Sequence, residues 1–130
     1  MQQLAALPNA RLLGSLPDAK LAKQFASHHV LAVPSSYEGF GIVYLEGMGV
    51  GLPGIGTTAG AAREIIEHGQ NGFLITPDDA TDLAAHLQRL QQNRALLAEM
   101  GITAREHFCQ QPTWNDSMER IHHFLQRVAK

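Results

Sequence analysis

The sequence predicts an α/β fold: a parallel sheet of about four strands with helices packed on it, followed by C-terminal helices. Three observations predict it. Short apolar runs closed by Pro or Gly alternate with amphipathic stretches over residues 10–77. From Asp78 onward the apolar residues recur at helical spacing alone. At 130 residues, 45% hydrophobic and 17% charged, the chain is globular and holds one core, so residues 1–130 are read as a single domain.

The elements follow in order. Residues 10–14, ARLLG, read as a strand ending at Gly14. PDAKLAKQFASHH opens a helix at Pro17, with Leu21, Ala22 and Phe25 on one face. HVLAVPSS, closed by Pro34, is a short buried strand. The loop SSYEGF then leads into a helix at about 41–50. LPGIGTT is a weaker strand, because Gly54 and Gly56 lack the branched side chains strands prefer. AAREIIEHG is a brief helix stopped at Gly69, and GFLIT after QNG is another strand.

In the helical half, DDATDLAAHLQRLQQ places Leu83, Leu87 and Leu90 on one face. NRALLAEMGITAREHF continues it with an interruption expected at Gly101. TWNDSMERIHHFLQRVAK sets Trp114, Met118, Ile121, Leu125 and Val128 at helical spacing, the pattern of a core face. So few strands are short of a complete doubly wound domain, and the chain reads as part of a larger unit.

Several function classes are excluded. A formal net charge of −2 offers no basic field for nucleic acid. No apolar run approaches membrane-spanning length, and MQQLAALPNARLLG is not built like a signal peptide. A single cysteine, Cys109, forms no disulfide framework, fits a cytoplasmic setting and is expected to be buried or inert. Among the seven histidines, His28-His29 and His122-His123 are adjacent and point apart. Asp82 with His86, and His107 with Cys109, supply at most two ligands each, so no metal site is expected. Gly54-Ile55-Gly56 with Ala59 meets the loose dinucleotide pattern, but Pro53 spoils the strand that should precede it.

The chemistry concentrates in PSSYEGFGIVYLEGMGVGLP, residues 34–53, which carries Glu38 and Glu46. The loop after HVLAV lies at the carboxyl end of a strand, where ligands of open α/β sheets bind. Gly39 and Gly41 let the backbone approach a ligand, and the N–H groups of Gly41, Ile42 and Val43 would open a helix toward an anion. Glu46, in otherwise apolar GIVYLEGMGVG, is expected to be buried and met by a hydroxyl pair such as a ribose diol. Glu38 would face a sugar on the other side of the phosphate. The plainer alternative makes Glu38 an acidic residue near a helix start, worth a few tenths of a kcal/mol, roughly. In that alternative Glu46 turns to solvent or pairs with Arg63.

The wording of this stretch resembles the donor-binding signature of the retaining glycosyltransferases of family 4, which have the GT-B fold. Pro34-Ser35, Glu38-Gly39-Phe40-Gly41, Glu46 and Gly51-Leu52-Pro53 carry the resemblance, which continues through AGAAREIIEHGQNGFLITPDDATDLAAHL to Trp114. It implies a Rossmann-like three-layer parallel sheet, part of a GT-B C-terminal domain, that binds a nucleotide-sugar. It implies Glu38 at the donor sugar as the catalytic residue, and the amides of Gly39, Phe40 and Gly41 along that sugar. Ile42 and Val43 would meet the diphosphate and Glu46 the ribose. Leu13, Gly14, Ser15 and Leu16 would lie against the nucleobase.

The chain departs from the family pattern at Glu46-Gly47-Met48-Gly49, where Glu-Ala-Met-Ala is usual, and at Gly54 and Gly56. Gly60-Ala61-Ala62-Arg63-Glu64 replaces a more common Gly-Gly loop. The acceptor-binding N-terminal domain is expected to be missing, together with the Arg/Lys pair that neutralises the leaving diphosphate. Lys20, Lys23 or Arg63 would have to serve instead.

The expected function is therefore the donor-binding portion of a retaining glycosyltransferase, with no cofactor and no required metal, weakly active or inactive alone. Its expected partners are a nucleotide-sugar donor and the missing acceptor domain, with peripheral membrane association through that half. An open sheet edge predicts a homodimer. The alternatives are a non-catalytic nucleotide-sugar or protein-binding module and part of a GT-B sugar-nucleotide epimerase.

Overall fold

A computed structural model describes residues 6–129 of the chain. Pro17, extended at ψ 150°, precedes helix α1, Asp18–Ala26. Strand β1 is Leu31–Val33, helix α2 Ile42–Met48, and strand β2 Gly54–Thr57. Helix α3, Ala62–Ile65, leads to strand β3, Gly72–Ile75. Helices α4 (Ala80–Gln92), α5 (Arg94–Cys109) and α6 (Trp114–Val128) complete the described residues.

The three strands are parallel in the order β1-β2-β3, with Leu31 opposite Gly54 and Thr57 opposite Ile75 at the two ladders. The α/β class and parallel sheet match the expectation; the count is three rather than four among the described residues. ARLLG is the difference, since residues 10–14 pair with no strand there. A strand needs a ladder partner, and residues 10–14 have none among the described residues, Gly14 turning at φ 65°.

Helices cover both sheet faces. On one, Tyr44 and Met48 of α2 pack with Ala62, Ile65 and Ile66, joined by Ala104 of α5. On the other, Ile55, Phe73 and Ile75 meet Leu90 of α4 and Leu97 and Met100 of α5. β2, expected to be the weaker strand, is buried at all four positions in the middle of the sheet. Its glycines have a packing reason. A Cβ on Gly54 would stand 3.2 Å from Cδ1 of Tyr44, and one on Gly56 2.6 Å from the Tyr44 hydroxyl. The helix side chain fills what the strand omits.

Other expectations are corrected. α3 ends at Ile65, short of Gly69, because Ile66 turns extended and the Asn71 side chain takes over. Asn71 donates to the Ile65 carbonyl at 3.1 Å and accepts from the Glu67 N–H at 2.8 Å, so this buried amide is matched at both ends. Gly101 does not interrupt α5. A Cβ there would lie 2.7 Å from the Gly51 carbonyl oxygen, so the glycine lets the helix press against the turn after α2. The break comes earlier, at Asn93, which caps both helices and accepts from the Leu96 N–H.

One expected burial fails, and of the two readings of Cys109, buried or inert, burial is excluded. Cys109 is a free, exposed thiol at the end of α5. α6 has a full capping box between Thr113 and Asp116, yet none of its residues is buried, and Trp114 is 83% exposed. The apolar stripe of Trp114, Met118, Ile121, Leu125 and Val128 is real but faces no core among the described residues. Helical periodicity shows that a face exists, not that something covers it.

Candidate functional site

The loop from Pro34 to Gly41 leaves the carboxyl end of β1 and is anchored at several points. The Tyr44 hydroxyl donates to the Val33 carbonyl at 2.9 Å, where the strand ends. Two residues on, the Thr57 hydroxyl donates to the Ser35 carbonyl at 2.7 Å. The Ala61 N–H donates to the Glu38 carbonyl at 2.9 Å, within a parallel bridge of Glu38 with Gly60. The Gly60-Ala61-Ala62 loop, whose role the sequence left open, thus holds the Glu38 backbone from below.

Gly41 then takes φ 73°, the left-handed region, to turn the chain into α2. No side chain caps this helix, so the first-turn amides of Ile42 and Val43 have no intrahelical acceptor. Around them Tyr37, Phe40 and Ile42 stand exposed, Phe40 at 68%. Apolar side chains left in water beside free amides suit a surface that a ligand covers. Glu38 is half-buried.

Glu46 departs from expectation. It is exposed, not buried, and lines a cleft of about 490 Å³ between α1, α2 and α5. Asp18, Leu21, Phe25, Arg105 and Phe108 share that cleft. A charged side chain on a seven-residue helix packed by its other faces keeps its hydration by facing the cleft. Arg105 is the residue that sequence reasoning missed. Its guanidinium donates to the Gly49 carbonyl at the end of α2 and lies 5.4 Å above the Phe108 ring. The interval from residue 46 to residue 105 concealed it; only packing of α5 on α2 reveals the pair.

The remaining predicted residues fall as follows. Leu13, Gly14, Ser15 and Leu16 do not line the Glu46 cleft; they turn, with Gly14 at φ 65°, into α1, whose first residue does. Glu38 does not line it either, so the two carboxylates face different surroundings. Lys20 and Lys23 are exposed on α1, and Arg63 is exposed two residues after the Ala61 clamp.

His86 and His107, the histidines weighed as metal ligands, meet an aromatic ring and carboxylates instead. His86 stacks on Phe73 at 4.0 Å between ring centroids, with Nε2 3.3 Å from Asp82. Burial holds its pKa below the ordinary imidazole value, against the opposing pull of Asp82. His107 sits 3.7 Å from Glu67. No group of three His, Cys, Asp or Glu side chains able to hold a metal occurs among the described residues.

A parallel sheet with helices on both faces and a loop of this kind at its carboxyl edge is doubly wound α/β architecture, and its superposition on solved glycosyltransferases makes the fold that of the GT-B class. Residues 1–107 match the family described as Glycosyl transferases group 1, and the chain belongs to it.

Among curated relatives, N-acetyl-alpha-D-glucosaminyl L-malate synthase of Bacillus anthracis is 36% identical over 91 residues, 70% of this chain and 24% of that protein. D-inositol 3-phosphate glycosyltransferase of Corynebacterium jeikeium is 30% identical over 118 residues, 91% of this chain and 28% of its own length. The chain thus spans about a quarter of these relatives.

Of solved structures, sucrose-phosphate synthase from Thermosynechococcus elongatus superposes with TM-score 0.87 at 26% identity, over 98% of this chain and 32% of that one. Anabaena Alr3699/HepE in complex with UDP-glucose gives 0.84 at 28% identity, over 97% and 34%. No helix among the described residues is long and apolar enough to cross a membrane.

Proposed function

We propose that this chain is the donor-binding portion of a retaining glycosyltransferase and takes a nucleotide-diphosphosugar. One observation carries the reading: Glu38 is fixed by backbone bonds at the carboxyl edge of the sheet, directly before uncapped helix amides. A carboxylate accepts hydrogen bonds from hydroxyls and the amides donate to an anion, which together describe a sugar joined to a phosphate. Complexes of Alr3699/HepE with UDP and UDP-glucose support it, since that fold covers nearly all of this chain.

In this reading Glu38 contacts the donor sugar, with the amides of Gly39, Phe40 and Gly41 beside it. Ile42 and Val43 hold the diphosphate, and Glu46 holds the ribose from its cleft. Leu13, Gly14, Ser15 and Leu16 lie against the nucleobase. In this reading no metal is required, and the helix amides donate to the leaving diphosphate. The whole protein would transfer the sugar to an acceptor hydroxyl with retention of anomeric configuration.

The test is calorimetric titration of the folded chain with UDP-, GDP- and ADP-sugars, repeated for Glu38→Ala and Glu46→Ala. Binding of one nucleotide class is expected, weakened about tenfold or more by each substitution. A folded chain that binds none, or binds equally well without either carboxylate, overturns the reading.

A further inference from the structure

The ring of Tyr44 touches both ends of the loop that carries Glu38. It is 1% exposed, and its hydroxyl reaches the Val33 carbonyl where the loop begins. Its Cδ2 edge lies 3.0 Å from where a Cβ of Gly41 would stand, where the loop ends. No glycine near it has room to spare. A Cβ on Gly56 would also meet Cβ of Ala62 at 2.9 Å, and one on Gly54 would meet Ile66 at 3.2 Å. Two glycines in one four-residue central strand cost strand preference, and a purely apolar filler would not need a hydroxyl aimed at a strand end. The phenol is also within the electrostatic reach of Glu38, which adds to burial in pushing its pKa up to about 12.

We propose that Tyr44 is a positioning residue for Glu38, a strut that spans the loop from Val33 to Gly41, and that Gly54 and Gly56 are the recess cut for it. The consequence for the site rests on the donor-binding reading above. The strut sets where the loop leaves β1, the Ala61 clamp sets its middle, and the sugar-facing carboxylate follows from the two.

Amide exchange and ligand titration on the whole chain separate the possibilities. Tyr44→Phe keeps the ring and removes the donor. The Ala61 N–H is expected to exchange three- to tenfold faster, roughly the value of one hydrogen bond, while Met100 on the far sheet face is unchanged. The dissociation constant for whichever of the UDP-, GDP- and ADP-sugars the wild-type chain binds is expected to rise by a similar factor.

Gly54→Ala crowds the ring edge and the tip of Ile66 and lowers the urea midpoint. Adding Tyr44→Leu is expected to recover part of the midpoint but to leave Ala61 exchanging fast, which simple core filling would not produce. Unchanged Ala61 exchange in Tyr44→Phe, or its recovery in the Gly54→Ala/Tyr44→Leu chain, overturns the proposal. Wild-type chain that takes up none of the UDP-, GDP- and ADP-sugars overturns the donor reading instead, and the exchange rates still decide the role of Tyr44.

Discussion

Gly60 and Gly69 both carry positive φ, at 96° and 83°, yet their surroundings differ. A Cβ on Gly60 would fall 2.2 Å from the Glu38 carbonyl oxygen, whereas one on Gly69 meets nothing within 4 Å. Gly69→Ala therefore pays only the left-handed backbone term, about 1 kcal/mol. Gly60→Ala adds displacement of the Glu38 backbone, and about 2–4 kcal/mol is expected. Urea unfolding of the two variants checks the difference. Equal losses would mean that the Glu38–Gly60 bridge is looser than its geometry.

Among elements, α6 is the one with the least attachment to the core. Its Thr113–Asp116 capping box supports the first turn, and hydrogen bonds from Thr113 hold the Asp116 carboxyl below its usual pKa. The helix is thus formed by local signals and not by burial. Deleting residues 113–130 is expected to change the unfolding free energy of the remainder by less than about 1 kcal/mol, as for surface changes generally. Guanidinium titration of the shortened chain measures this, and a loss of several kcal/mol would show that α6 packs on the core.

Legibility differed from element to element for physical reasons. β1 and β3 were readable because Pro34 and Gly72 bound apolar runs, while ARLLG looked the same and lacked a partner strand. Gly101 read as a break because propensity counts only the helix itself, not the Gly51 backbone it admits. Glu38 and the helix start were legible from local spacing. The exposure of Glu46 and its neighbour Arg105 depends on how α5 crosses α2, which no local pattern encodes.

At the scale of the whole molecule, His86 links pH to stability. Folded His86 resists protonation because it is buried against Phe73, whereas the unfolded chain takes up the proton at the ordinary imidazole value near 6.5, roughly. The unfolded state therefore binds more protons as pH falls, so stability is full above that value and declines below it. Asp82 offsets part of this, while His68, its ring centroid 5.7 Å from that of His86, and Arg89 add to it. Denaturant midpoints are expected to drop between pH 7 and pH 5, and to drop less in His86→Gln. A profile identical in both chains would assign the pH dependence elsewhere.

The sheet order β1-β2-β3 is also the order of the chain. Among the described residues each strand pairs only with the one before or after it in the chain, and no later strand lies between two earlier ones. Each pairing spans roughly twenty residues and does not wait on more distant parts of the chain. As the polypeptide leaves the ribosome, β1 and β2 can close over Tyr44 before β3 exists, and β3 can add to them before α6 is made. The loop bearing Glu38 would be set early, so that whatever α6 later meets arrives at a site already shaped.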